Sequence, residues 1–209
     1  TKLSAAEMLR GQEEMSRGTT DLLPRMTLLA RQRLLHLVEE YRVRGDAALP
    51  TYADREPAVR AADVSDALLL QSPFMQQVAP IVAAHLRGFP SSRAPGATDI
   101  LFWSEHVVSN LRPILSLTHA VTYTPPEPGG YALVVSKQLY ANHFFEGALE
   151  VVAIVDRTGP GEPPGIYVVI ERRFRFDNLP RGLLNIRGRA ANGLRDQLEM
   201  DLRRINAPG

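Results

Sequence analysis

The pattern of the chain changes period near residue 99, and this change limits the folds open to it more than any other feature. Before it, apolar residues recur at helical spacing, as in Leu28, Leu29, Leu34, Leu35, Val38 and Tyr41. After it come five segments rich in Val, Ile, Tyr and Phe: 99–108, 114–124, 131–142, 143–156 and 166–177. No helical pattern separates them, so the strands pair as an antiparallel meander. The fold class predicted is α+β: a helical N-terminal half, a meander of about five strands, and one long C-terminal helix packed on the sheet.

Local signals place the helices. Ser4-Ala5-Ala6-Glu7 has the form of a capping box, so a helix follows and ends near Gly18. Pro24 suits an early helical position, and Gly45 stands where the second helix, Met26 to Arg44, should end. A loop is expected from Asp46 to Pro57. Asp63 reads as the cap of a short helix through Leu70. Ser72-Pro73 opens another, which Pro80 should kink or break. The Pro-, Ser- and Gly-containing stretch 88–98 divides a helical region, 1–90, from a sheet-plus-helix region, 99–206, the two forming one compact unit. From about Pro180 the residues Leu183, Arg187, Ala190, Leu194, Leu198 and Leu202 step by four along a final helix. Gly182, Gly188 and Gly193 lower its intrinsic helicity.

Composition excludes several functional classes. The formal net charge is +1, which argues against a general nucleic-acid binder. No apolar run is long enough to span a bilayer. Cysteine is absent, which removes disulfides, thiolate catalysis and thiolate-bound zinc. The five histidines show no metal-binding spacing, so neither a metal nor another cofactor is expected. There is no nucleophile elbow and no phosphate-binding loop. The chain begins at Thr1 without a Met or a visible signal, and an upstream segment is expected.

Candidate site residues come from polar groups set among apolar strand positions. Lys137, one of two lysines in the chain, shares a strand face with Leu133, Val135 and Leu139. If buried, it would have a lowered pKa and could act as a base or amine nucleophile; a snorkelling or structural role is the blander reading. His119 shares a face with Leu117 and Val121 and is either a hydrogen-bonded core residue or an anchor in an apolar pocket. Tyr140, His143 and Glu146 gather at a strand junction, and Arg172 falls on an apolar face where it could meet Glu146 or a ligand carboxylate. Arg173 and Arg175 read as solvated. The Arg excess of 171–204 allows contact with an anionic membrane surface, although a solvated helix face explains it as well.

Two resemblances add to this reading. The stretch from Tyr167 to Leu202, a last strand followed by an Arg-rich amphipathic helix, resembles the end of START-like helix-grip proteins, the group of polyketide cyclases and lipid-transfer domains. A second set of residues is similar to an uncharacterised family of bacterial proteins that are usually exported. It comprises Tyr41-Arg42-Val43-Arg44-Gly45 with Ala47-Ala48-Leu49, Gln71-Ser72-Pro73-Phe74, Phe102-Trp103-Ser104, Leu111-Arg112-Pro113-Ile114 with Thr118-His119, and the run from Ser136 to Phe145. The second family implies export to the periplasm and carries no activity with it; on the helix-grip arrangement, the expected function is to bind or transport a hydrophobic small molecule or lipid in an apolar pocket between curved sheet and helix. Its polar anchors would come from His119, Lys137, Tyr140, His143, Glu146 and Arg172, with Trp103. The alternatives are a cyclase-, dehydratase- or hydrolase-like enzyme using His and Glu as acid and base, and a protein-interaction module.

Overall fold

The computed structural model describes residues 2–54, 56–107, 113–126, 130–157, 165–177 and 186–205. The helical half comprises α1 (Ala5–Ser16), α2 (Leu22–Arg44), a 3-10 turn (Gly45–Ala48), α3 (Ala61–Gln71), α4 (Pro73–Gln77) and α5 (Pro80–Gly88), with a two-residue hairpin of β1 (Thr51–Tyr52) and β2 (Val59–Arg60) between the turn and α3. The meander follows as β3 (Ala97–His106), β4 (Ile114–Tyr123), β5 (Tyr131–Ala141), β6 (Phe145–Arg157) and β7 (Gly165–Phe176), and α6 (Ile186–Ile205) is the last element. The five long strands lie in sequence order in one open sheet. The expected α+β class, with helices first and an antiparallel five-strand meander after them, is what the chain adopts.

The punctuation of the helices mostly follows the sequence. In the capping box the Ser4 hydroxyl accepts from the Glu7 amide (3.4 Å) and the Glu7 carboxylate accepts from the Ser4 amide (2.6 Å). Ser72 caps α4 with Pro73 at its first position, and Pro80 starts a new helix instead of kinking an old one. Asp63 is not a cap: Arg60 holds that position, and Asp63 sits in the first turn beside it, 3.0 Å from the Arg60 guanidinium. On α2 the inward stripe is Leu34, Leu37, Val38 and Tyr41, while Leu28 and Leu35 are exposed. The helix read from about Pro180 is described from Ile186; Gly182 and Leu183 lie outside the described residues, as do the side chains of Arg187, Ala190 and Leu194.

The chain divides into two compact units, Thr1–Arg175 and Phe176–Gly209. In the first, α3, α4 and α5 supply Val64, Leu68, Leu69, Met75, Val82 and Leu86 against Val121, Leu133, Val135, Leu149 and Val151 of the sheet. A second apolar cluster joins Leu37 and Tyr41 of α2, with Leu49 and Tyr52, to Leu117, Leu139 and Tyr140. Helix α3 lies so close to β6 that a Cβ on Gly147 would stand 2.8 Å from a Val64 methyl. The second unit is described by itself: α6 carries basic Arg203 and Arg204 in its last turn, where cations complement the helix dipole. No helix among the described residues is long and apolar enough to cross a membrane.

Candidate functional site

Register places the site. His119 of β4 pairs with Leu101 of β3 on one side and Lys137 of β5 on the other, and Lys137 in turn pairs with Leu149. Because paired residues share a face, His119 and Lys137 point together, and both are fully buried. This row separates Val121 and Val135 of the first apolar cluster from Leu117 and Leu139 of the second. A buried polar layer of this kind needs partners for every group.

The partners come from distant elements. Tyr41, from the last turn of α2, brings its hydroxyl 2.9 Å from His119 Nδ1. Asp99 of β3 places Oδ1 2.8 Å from His119 Nε2 and 2.7 Å from Nε2 of His85, near the end of α5. The other His85 nitrogen, Nδ1, lies 2.9 Å from the backbone carbonyl of Ser92. Lys137 Nζ donates to Asp46 of the 3-10 turn (2.5 Å) and to the carbonyl of Leu86 (3.0 Å). Phe89 caps the group: its ring stacks on Tyr41 at 5.3 Å and tilts against His119 at 4.6 Å. Gly45 lets the backbone turn under it, with φ +56° and no room for a side chain, since a Cβ would fall 1.8 Å from the Phe89 carbonyl.

Burial dominates the electrostatics. It lowers the pKa of His119 to about 4, against the opposing pull of Asp99, so the ring is neutral. With Nε2 donating to Asp99, Nδ1 is left as the acceptor for the Tyr41 hydroxyl. Burial, then the Asp46 and Asp99 charges, push the Tyr41 hydroxyl well above the usual phenol value and keep it a neutral donor. For Asp99 burial works upward, but hydrogen bonds from His85 and His119 overcome it and hold the carboxyl below its ordinary value. Desolvation lowers the Lys137 ammonium, and Asp46 only partly restores it.

The order Tyr41–His119–Asp99 is that of a proton relay, but Tyr41 and His119 are both wholly enclosed and Tyr41 is hard to ionise. The arrangement as it stands organises the core and cross-links α2, α5, β3, β4 and β5. Among the described residues no group of three or more His, Asp or Glu is placed to hold a metal ion.

The other sequence candidates lie elsewhere. Tyr140 is buried at the far end of β5, where its hydroxyl accepts from Arg33 (3.3 Å), the guanidinium covers its ring at 4.8 Å, and Trp103 meets it edge-on at 6.4 Å. Arg33 also ties Glu7 and the Lys2 carbonyl into this corner. His143 stands in the turn between β5 and β6, beside the ring of Phe144. Glu146 is buried and pairs with Arg175 at 2.7 Å, and Arg172 reaches Glu150. The expected Arg172–Glu146 meeting is thus replaced by two separate pairs. Arg173 and Arg175, read as solvated, each hold a carboxylate, Glu171 and Glu146 respectively. The polar layer thus joins His119 and Lys137 of the proposed anchors to Tyr41, Asp46, His85, Phe89 and Asp99, while Tyr140 and Trp103 meet in a separate corner. Comparison with family models, curated proteins and solved structures finds no match.

The opposite sheet face is of another kind. Rows Thr98–Thr122–Val134–Val152 and Ile100–Ala120–Ser136–Glu150 cross it, with Phe102 and Thr118 below and Ala132 and Ile154 above. Small and hydroxyl side chains fill the middle, and Ile100, Phe102, Val134 and Ile154 are 46, 40, 37 and 42% exposed.

Proposed function

We propose that the chain binds a hydrophobic small molecule or a lipid chain, and that the binding surface is the sheet face of Ile100, Phe102, Thr122, Val134 and Ile154. The observation that carries this reading is the pairing of exposed apolar residues with small side chains on one continuous sheet surface. Exposed apolar surface of this kind marks ligand or partner sites. Apolar groups supply the affinity and a few hydroxyls the orientation, here Thr98, Thr118, Thr122 and Ser136. The face of His119 and Lys137 serves this reading by stiffening the sheet, since its polar groups already have protein partners. Export to the bacterial periplasm, implied by the sequence resemblance, belongs to the same proposal.

Native mass spectrometry of the purified chain tests it together with titration of a fluorescent fatty acid. Co-purified lipid and saturable probe binding are expected. Phe102→Asp and Ile154→Asp should each weaken binding on the order of ten-fold or more, because a charge is set into apolar contact surface. Probe binding unchanged in both variants would refute the assignment of the face. Absence of any lipid or probe binding would refute the function.

A further inference from the structure

Helix α2 turns Leu37 and Tyr41 to the core, and its other side carries apolar residues that nothing in the chain covers. Leu28, Leu35 and Val43 stand there, 57, 63 and 74% exposed. They follow one another at seven and eight residues, about two turns each time, so they run along one side of the helix. Apolar positions recurring at this interval on an outer helix face form a seam for a second helix.

The charges of α2 say which helix that is. Arg25 is held by Glu14, Arg33 by Glu7 and Arg44 by Glu40, all within the chain. Arg31 and Glu39 differ: both are exposed, and neither side chain makes an ion pair or hydrogen bond among the described residues. They border the apolar line symmetrically, Arg31 four residues before Leu35 and Glu39 four residues after it. Each is thus about 6 Å along the axis from Leu35, in opposite directions.

We propose that the outer face of α2 binds a second copy of this chain, helix against helix and antiparallel, about a two-fold axis at Leu35. Such an interface is isologous, so one patch must complement itself. Here it does. Leu35 meets its own counterpart on the axis, Leu28 comes level with Val43 of the other copy to within one residue, and Arg31 and Glu39 each face the opposite charge, twice by symmetry. A parallel pairing would set Arg31 against Arg31 and Glu39 against Glu39, so the charges select the antiparallel one. One helix face is a small interface, and the dimer is accordingly of the weak, concentration-dependent kind. Helix α2 packs on the sheet face of Leu117 and Leu139, so dimerisation leaves the opposite face open, and neither proposal depends on the other.

Sedimentation equilibrium of the chain between about 1 µM and 1 mM tests it, and should show a reversible monomer–dimer equilibrium. Leu35→Asp should raise the dissociation constant on the order of ten-fold or more, because it sets two carboxylates together on the axis. Arg31→Glu leaves only acidic groups at the two charged places, and Glu39→Arg only basic ones, so each alone should dimerise poorly. An equimolar mixture of these two variants should dimerise again, as both charge pairs are restored; this also shows that each variant folds. Because the chain has no cysteine, single cysteines report the direction of pairing. Leu28→Cys mixed with Val43→Cys should form the mixed disulfide in preference to either symmetric one. A monomer at every concentration overturns the proposal, and so does a dimer that Leu35→Asp leaves intact. Failure of the charge-variant mixture to recover, or a symmetric disulfide through position 28, rules out the antiparallel pairing.

Discussion

At the scale of single residues, His119 and Lys137 make opposite demands on the solvent they have left. Burial depresses the His119 pKa from 6.5 to about 4. Between those values the unfolded chain binds a proton that the folded one does not, so stability falls as the pH drops through this window. At about 1.4 kcal/mol per pKa unit the full loss approaches roughly 3 kcal/mol. Asp99 acts lower: its depressed carboxyl contributes stability that disappears only as pH falls through its folded value, below 3.8. Urea unfolding at pH 7 and pH 4.5 should therefore show a lower midpoint in acid, and His119→Gln should flatten the difference. Equal slopes in the two proteins would place the acid sensitivity elsewhere. Lys137 is a matter of pairing. Removing it as Lys137→Ala leaves Asp46 and the Leu86 carbonyl without their donor and should cost about 3–5 kcal/mol, the usual loss for one partner of a buried pair. Lys137→Met with Asp46→Asn should recover most of that in the same denaturation assay, since the orphaned charge is gone.

The elements show how far the sequence could be read. Strand positions were legible because alternation and turn residues are local signals: β4 and β5 begin at Ile114 and Tyr131, where the pattern places them. The Ser4 box and the Ser72-Pro73 start are equally local. On α2, Leu28 and Leu35 are as apolar as Leu34 and Leu37, and only the packing partners of the helix select which pair turns inward. The site was half legible. A lysine and a histidine on apolar strand faces were visible, but their partners were not: Tyr41 is 78 residues from His119, and Asp46 is 91 from Lys137. No periodicity carries such pairings; they follow from the way α2 and the 3-10 turn settle on the sheet. Gly147 was unremarkable in sequence, yet it is the place where α3 meets β6. Gly147→Ala should overpack Val64 and Leu68 and cost about 1–3 kcal/mol by thermal or chemical unfolding, with Val64→Ala partly compensating. Gly45→Ala should be worse, because positive φ and the Phe89 carbonyl both oppose a side chain and neither can move cheaply.

At the scale of the molecule, the first unit has two apolar clusters with a polar layer between them. Apolar contacts are tolerant of sliding, whereas a layer in which Tyr41, His85, His119, Lys137 and two aspartates each fit particular partners fixes how the clusters sit on one another. The layer should therefore make the clusters open together. Asp99→Asn tests this, because the amide removes the negative charge that strengthens the bonds from both histidines at Oδ1 and turns its NH2 group toward the Arg93 guanidinium. In the unaltered chain, the slowest amides of α2, near Leu37 and Tyr41, should exchange through the same global opening as those of α3 and β6. In the variant the α2 side should exchange on the order of ten-fold faster than the α3–β6 side. The expected split reports loss of coupling, which uniform destabilisation would not produce. If both regions speed up equally, the polar layer adds stability without joining the clusters, and cooperativity must come from the sheet that runs beneath both.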